Sequence, residues 1–181
     1  MINLFTTTIL RRSWIAGLLA LPLGIGARRA LAQSGPQLNV GVLARGAGTT
    51  MLEGGTGAPD YVPVITRVAF RVSLIEGGVV GAFECLALAP AEVQGSRSGD
   101  FTQNVMYVTG NVSAASVQGD SIRIEGNSEC TGIGVGSNVP FSAVIRKGGP
   151  GTTLVLTAGS PPQVFREILL EGIFEIPEPA R

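Results

Sequence analysis

From Val64 onward apolar residues recur at a period of two, interrupted by glycine-rich turns, and helical spacing is almost absent. Val68, Phe70, Val72 and Leu74 alternate with Ala69, Arg71 and Ser73. Glu76-Gly77-Gly78 then turns the chain, and Val79 to Leu88 runs back as a partner strand. On that strand Phe83 and Cys85 share one face while Glu84, Leu86 and Leu88 share the other. A second hairpin runs from Met106-Tyr107-Val108 through Val112 and Val117, turns at Gln118-Gly119-Asp120, and returns through Ile122 and Ile124. A third joins Phe141 to Ile145 with Leu154 to Leu156 across Lys147-Gly148-Gly149-Pro150-Gly151. In the last strand Ile168, Leu170, Gly172, Phe174 and Ile176 alternate with Glu171 and Glu175. Gln163 to Leu169 also fits a short helix carrying Phe165, Ile168 and Leu169 on one face.

About eight short strands in this length predict an all-β domain, either an antiparallel β-sandwich or a closed β-barrel. One face of each strand is expected to be wet and the other buried. Gly46-Ala47-Gly48-Thr49-Thr50 to Gly57-Ala58-Pro59-Asp60 is polar and glycine-rich, which predicts a mobile surface loop, a lid over a barrel mouth or a long connection. The expected organisation is a removable signal at 1–32, a glycine-rich segment with one possible strand at 33–63, the β core at 64–176 and a polar tail at 177–181.

The first 32 residues carry the clearest address. Arg11-Arg12, the apolar run Trp14 to Gly26 and the small-x-small triplet Ala30-Leu31-Ala32 have the order of a cleaved export signal. Leu10-Arg11-Arg12-Ser13-Trp14-Ile15 resembles a bacterial twin-arginine signal, although Leu10 stands where such signals usually have Ser or Thr. The resemblance implies a periplasmic or secreted protein. The apolar run is shorter than the roughly 20 residues needed to span a bilayer.

Four of the 13 Lys+Arg are Arg11, Arg12, Arg28 and Arg29, whereas all 13 Asp+Glu lie beyond them. Residues 33–181 therefore hold nine basic against 13 acidic side chains, a net charge of −4. This balance argues against nucleic acid or an anionic membrane as partner. The expected partner is a protein or a small apolar ligand, with no membrane span in the mature chain.

Cys85 and Cys130 are the only two cysteines. An exported context favours a disulfide between them, which would close a loop of roughly 46 residues and stabilise by roughly 4 kcal/mol. The alternative is a pair of buried thiols acting as small hydrophobes. Two sulfurs without histidine do not make a usual zinc shell, so no metal or cofactor is expected.

The chain has no histidine, which removes Ser-His-Asp and Cys-His mechanisms. Catalysis would have to rest on carboxylates, Lys147, tyrosines or arginines, and a glycosidase-like pair could be drawn from Glu76, Glu84, Asp120, Glu125 and Glu129, several of them at turn or solvent-facing positions. Glu84 is the catalytic candidate, because Leu86 and Leu88 on its face suggest an apolar setting and a raised pKa. Gly132-Ile133-Gly134-Val135-Gly136 lacks the following helix that a phosphate-binding loop requires. It is expected instead to let another backbone pack closely.

Val79-Val80-Gly81-Ala82-Phe83-Glu84-Cys85-Leu86, then Val112 to Gly119, then Ile122-Arg123-Ile124-Glu125-Gly126 resemble a loose class of uncharacterised exported bacterial β-domain proteins. That class implies no activity. The leading expectation is an exported, non-catalytic β domain with a binding or structural role. A barrel carrier of a small apolar ligand is the second, with Phe70, Phe83, Tyr107, Phe141 and Phe174 as lining. A cavity isomerase, cyclase or hydrolase using carboxylates is the third.

Overall fold

A computed structural model describes residues 41–55, 62–90 and 101–178. The signal-like segment 1–32, with both arginine pairs, lies outside the described residues. The chain divides into Met1–Gly35 and Pro36–Arg181, and every described residue belongs to the second unit.

Eight antiparallel strands form one sheet: β1 Gly41–Leu52, β2 Ile65–Ile75, β3 Gly78–Pro90, β4 Phe101–Gln118, β5 Ser121–Gly132, β6 Gly136–Arg146, β7 Thr153–Ala158 and β8 Gln163–Glu175. Each strand pairs with its neighbour in sequence, and β1 also pairs with β8, so the sheet closes into an up-and-down barrel. Closure resolves the choice between sandwich and barrel. Among the described residues every strand then has a neighbour on both sides, although β7 covers only Ser142 to Ile145 of β6.

The hairpins form where the alternation and glycine turns predict them. Gly77 and Gly78 have φ of 94° and 141°, and Gly119 has 61°, values at which a side chain would be strained. Gly134 packs on Gly159, where a Cβ would lie 3.0 Å from the Gly159 Cα, and its carbonyl accepts from the Ser160 N–H. Backbone packing is thus what the Gly132–Gly136 run provides.

Two stretches differ from expectation. Gly46 to Leu52, expected in a loop, is the second half of β1 and forms the closing seam of the barrel. Its glycines serve close approach rather than turning: a Cβ on Gly48 would sit 2.2 Å from the Glu171 carbonyl oxygen, and one on Gly46 2.7 Å from that of Ile173. The second half of that glycine-rich stretch, from residue 56 to 61, lies outside the described residues. Gln163 to Leu169 is strand, not helix, and a register shift opposite Thr49 and Thr50 leaves Leu170 as an extra residue. The bulge changes which positions face inward: Glu167 and Leu169 are buried before it, Phe174 after it, and Ile168 and Leu170 point out.

The interior is largely apolar and filled by side chains. Phe70 meets Phe174 edge-on with centroids 5.4 Å apart, and Phe83 stacks on Phe141 at 5.5 Å. Glycines make room for these rings. Gly46 is registered between Phe70 and Phe174, and a Cβ on Gly110 would lie 2.5 Å from Phe141. Ile122, Ile124, Ile145, Leu154, Leu156 and Leu169 complete the core. Apart from Glu167, the described charged side chains lie outside, six of them in three ion pairs: Arg45–Glu175, Arg123–Glu125 and Arg146–Asp120. The outer wall mixes these charges with exposed apolar side chains such as Val135, Val164, Leu170 and Ile173. Among the described residues no helix is long and apolar enough to cross a membrane.

Candidate functional site

The outer face of β3, β4 and β5 carries a polar depression. Register fixes its grid. Glu84 on β3 lies beside Thr109 on β4, and Thr109 beside Glu129 on β5. One row along, Ala82, Asn111 and Asn127 are neighbours in the same order. Because side chains two apart share a face, all six project outward, and Asn138 of β6 closes one side. The depression has a volume of about 290 Å³, with Phe83, Gly110 and Ser128 reaching its floor.

Each carboxylate in it is held by one oxygen. Glu84 Oε1 accepts from the Tyr107 hydroxyl at 2.6 Å. That bond, ahead of desolvation, raises the tyrosine above its ordinary pKa. Glu129 Oε1 accepts from Ser137 Oγ at 2.9 Å and from the Asn138 N–H at 3.0 Å. Asn138 adopts φ of 55°, a left-handed conformation that asparagine tolerates better than most residues, where β6 shifts register opposite β5. The second oxygen of each carboxylate has no bonded partner among the described residues.

The sequence-derived candidates fall in three places. Glu84 and Glu129, two of the five carboxylates proposed for acid–base work, meet in this depression. Glu84 lies on the exposed outer face, so the apolar setting expected from Leu86 and Leu88 is not there. Those leucines are only half-buried and belong to the same outer surface. Asp120 and Glu125 are engaged in ion pairs elsewhere, and Glu76 is in the β2–β3 turn. Phe70, Phe83, Phe141 and Phe174 are core residues, whereas Tyr107 faces outward to Glu84.

Cys85 and Cys130 are free and buried, which corrects the expected disulfide. Val108 is registered between them, so they stand on β3 and β5 with β4 intervening. Two strand spacings put their Cα atoms roughly 9–10 Å apart, beyond the roughly 7 Å that a disulfide can bridge. Burial pushes the Cys85 thiol well above its ordinary pKa, with smaller contributions from Glu167 and Cys130. It is a poor nucleophile there.

The one deeply buried carboxyl of the described residues, Glu167, escaped sequence reasoning. It is 3 % exposed inside the barrel, and burial raises its pKa from 4.5 to about 7. Thr50 Oγ1 lies in hydrogen-bonding contact with Glu167 Oε2 and 3.3 Å from the Thr66 carbonyl oxygen. A hydroxyl has one proton and cannot donate to both. Both contacts are satisfied together when Glu167 carries its proton and donates to Thr50, which donates on to Thr66. Beyond this layer, toward the barrel end, an apolar cavity of about 30 Å³ lies among Leu52, Val64, Cys85, Met106 and Phe165. It is far below the roughly 300 Å³ of the smallest usual ligand pockets.

Fold and site together define a closed eight-stranded up-and-down β-barrel with a side-chain-filled lumen and a polar depression on its outer wall. No protein-family model, curated protein or solved structure matches the chain.

Proposed function

We propose that this protein is an exported, non-catalytic binding domain whose ligand occupies the outer depression on β3, β4 and β5. The observation that carries this reading is the filled lumen. The Phe70–Phe174 and Phe83–Phe141 pairs occupy the space that a carrier barrel would give to its cargo. Recognition then falls to the outer wall, where Asn111, Asn127, Thr109 and two half-engaged carboxylates converge on one concavity. Export rests on Arg11-Arg12, the apolar run after them and Ala30-Leu31-Ala32.

The test compares native with denaturing mass spectrometry of the protein taken from the exported fraction of its own host, for wild type and for Thr109→Trp, which fills the depression. Expected is a mature chain beginning near Gln33 with an added native mass that denaturation removes and Thr109→Trp abolishes. A mass that survives Thr109→Trp would put the ligand elsewhere and favour the carrier reading. Bare polypeptide in both would leave a structural role, and an uncleaved chain would overturn export.

A further inference from the structure

We infer that the ligand of the outer depression is a neutral carbohydrate, of one or two sugar rings; this rests on the depression being the binding surface. Its lining has the chemistry that hydroxyl-rich ligands require. Side-chain amides of Asn111, Asn127 and Asn138 each offer donors and an acceptor, and the Thr109 hydroxyl offers both. Among the described residues Glu84 and Glu129 each keep one carboxylate oxygen without a partner, while the other is fixed by Tyr107, or by Ser137 and the Asn138 N–H. A fixed carboxylate with an open oxygen accepts from sugar hydroxyls without first having to be ordered.

Charge narrows the choice. The lining contains two carboxylates and no Lys or Arg, so phosphate, sulfate and nucleic acid are repelled. The described ion pairs lie outside the lining, so among the described residues no Lys or Arg is paired with either carboxylate. Ala82 adds a small apolar side chain to this polar lining, and the Phe83 ring stays inside the lumen. A volume of about 290 Å³ sits at the lower end of ligand pockets and admits a small sugar rather than a folded peptide.

The experiment is an amide-resolved NMR titration of the mature protein with maltose, cellobiose and N,N′-diacetylchitobiose, with calcium chloride and spermidine run alongside. Expected are saturable shifts with at least one disaccharide, confined to residues 82–84, 109–111, 127–129 and 138 and to the asparagine side-chain amides. Asn111→Ala and Asn127→Ala should each weaken that binding by about tenfold, the loss of one good hydrogen bond, with unchanged circular dichroism and melting. Glu84→Gln should weaken it as well. Saturable shifts at the same residues with calcium or spermidine alone would overturn the carbohydrate assignment while retaining the depression as a binding surface. No saturable shift with any probe would overturn the assignment, and together with a bare polypeptide in the mass measurement it would also overturn the binding role.

Discussion

Glu167 shows how one residue can set the pH response of a barrel. Its carboxyl titrates near 4.5 when unfolded and at about 7 inside the protein. Below pH 4.5 it is protonated in both states and costs nothing. Between 4.5 and about 7 the unfolded chain releases the proton and the folded chain keeps it, so stability falls as pH rises. Above 7 the full penalty, about 3 kcal/mol, has accumulated. Asp120 acts oppositely at lower pH, because its bond to Arg146 lowers its pKa and that stabilisation is lost as pH falls through the folded value. The expected outcome is a melting temperature that drops by roughly 10 °C from pH 5 to pH 8. Glu167→Gln, which keeps the shape and cannot ionise, should flatten that slope and melt higher than wild type at pH 8. A slope unchanged by the substitution would sink this account.

Strand β8 and its seam with β1 are where elements depart from simple alternation. Reading Ile168, Leu170, Gly172 and Phe174 as one face is right after the bulge and wrong before it, which hides Glu167 among residues that look solvent-facing. A period-two count cannot register an extra residue, since a single insertion exchanges the two faces. The glycines of β1 misled for a related reason: composition does not distinguish a glycine that turns from one that lets strands approach. The hairpins β2–β3, β4–β5 and β6–β7 were legible because their turns and alternation agree. The outer depression was legible only in part. Glu84 and Glu129 stood out as carboxylates, but their meeting across Thr109 depends on the pairing of three strands. Two expectations follow at this scale. Gly48→Val should destabilise by about 2–3 kcal/mol or prevent folding, since its side chain would collide with the Glu171 carbonyl and Leu169; a denaturant midpoint measures it. Cys85 and Cys130 should give two thiols to a thiol reagent in denaturant and almost none in native buffer, with the mature mass that of the reduced chain.

At the scale of the whole molecule, closure makes β1 indispensable rather than an appendage to a core beginning at Val64. The strand pairs with β2 along one side and β8 along the other, and Gly46 is registered between Phe70 and Phe174. Without β1 two long strands would present unpaired N–H and C=O groups, and the Phe70–Phe174 pair would face solvent. Exposed edges next to apolar surface favour association between chains over refolding of one. A chain starting at residue 53 should therefore aggregate, or stay monomeric only with lost sheet signal in circular dichroism and a broad, non-cooperative melt. The chain starting at Gln33 should unfold in one transition, with amide exchange in β1 and β8 as slow as in β4 and β5, because β1 is paired along its length to both β2 and β8. If the shortened chain instead kept a cooperative melt and sheet content close to that of the longer one, β1 would be a separable segment and the energetic closure argued from the seam glycines would be wrong.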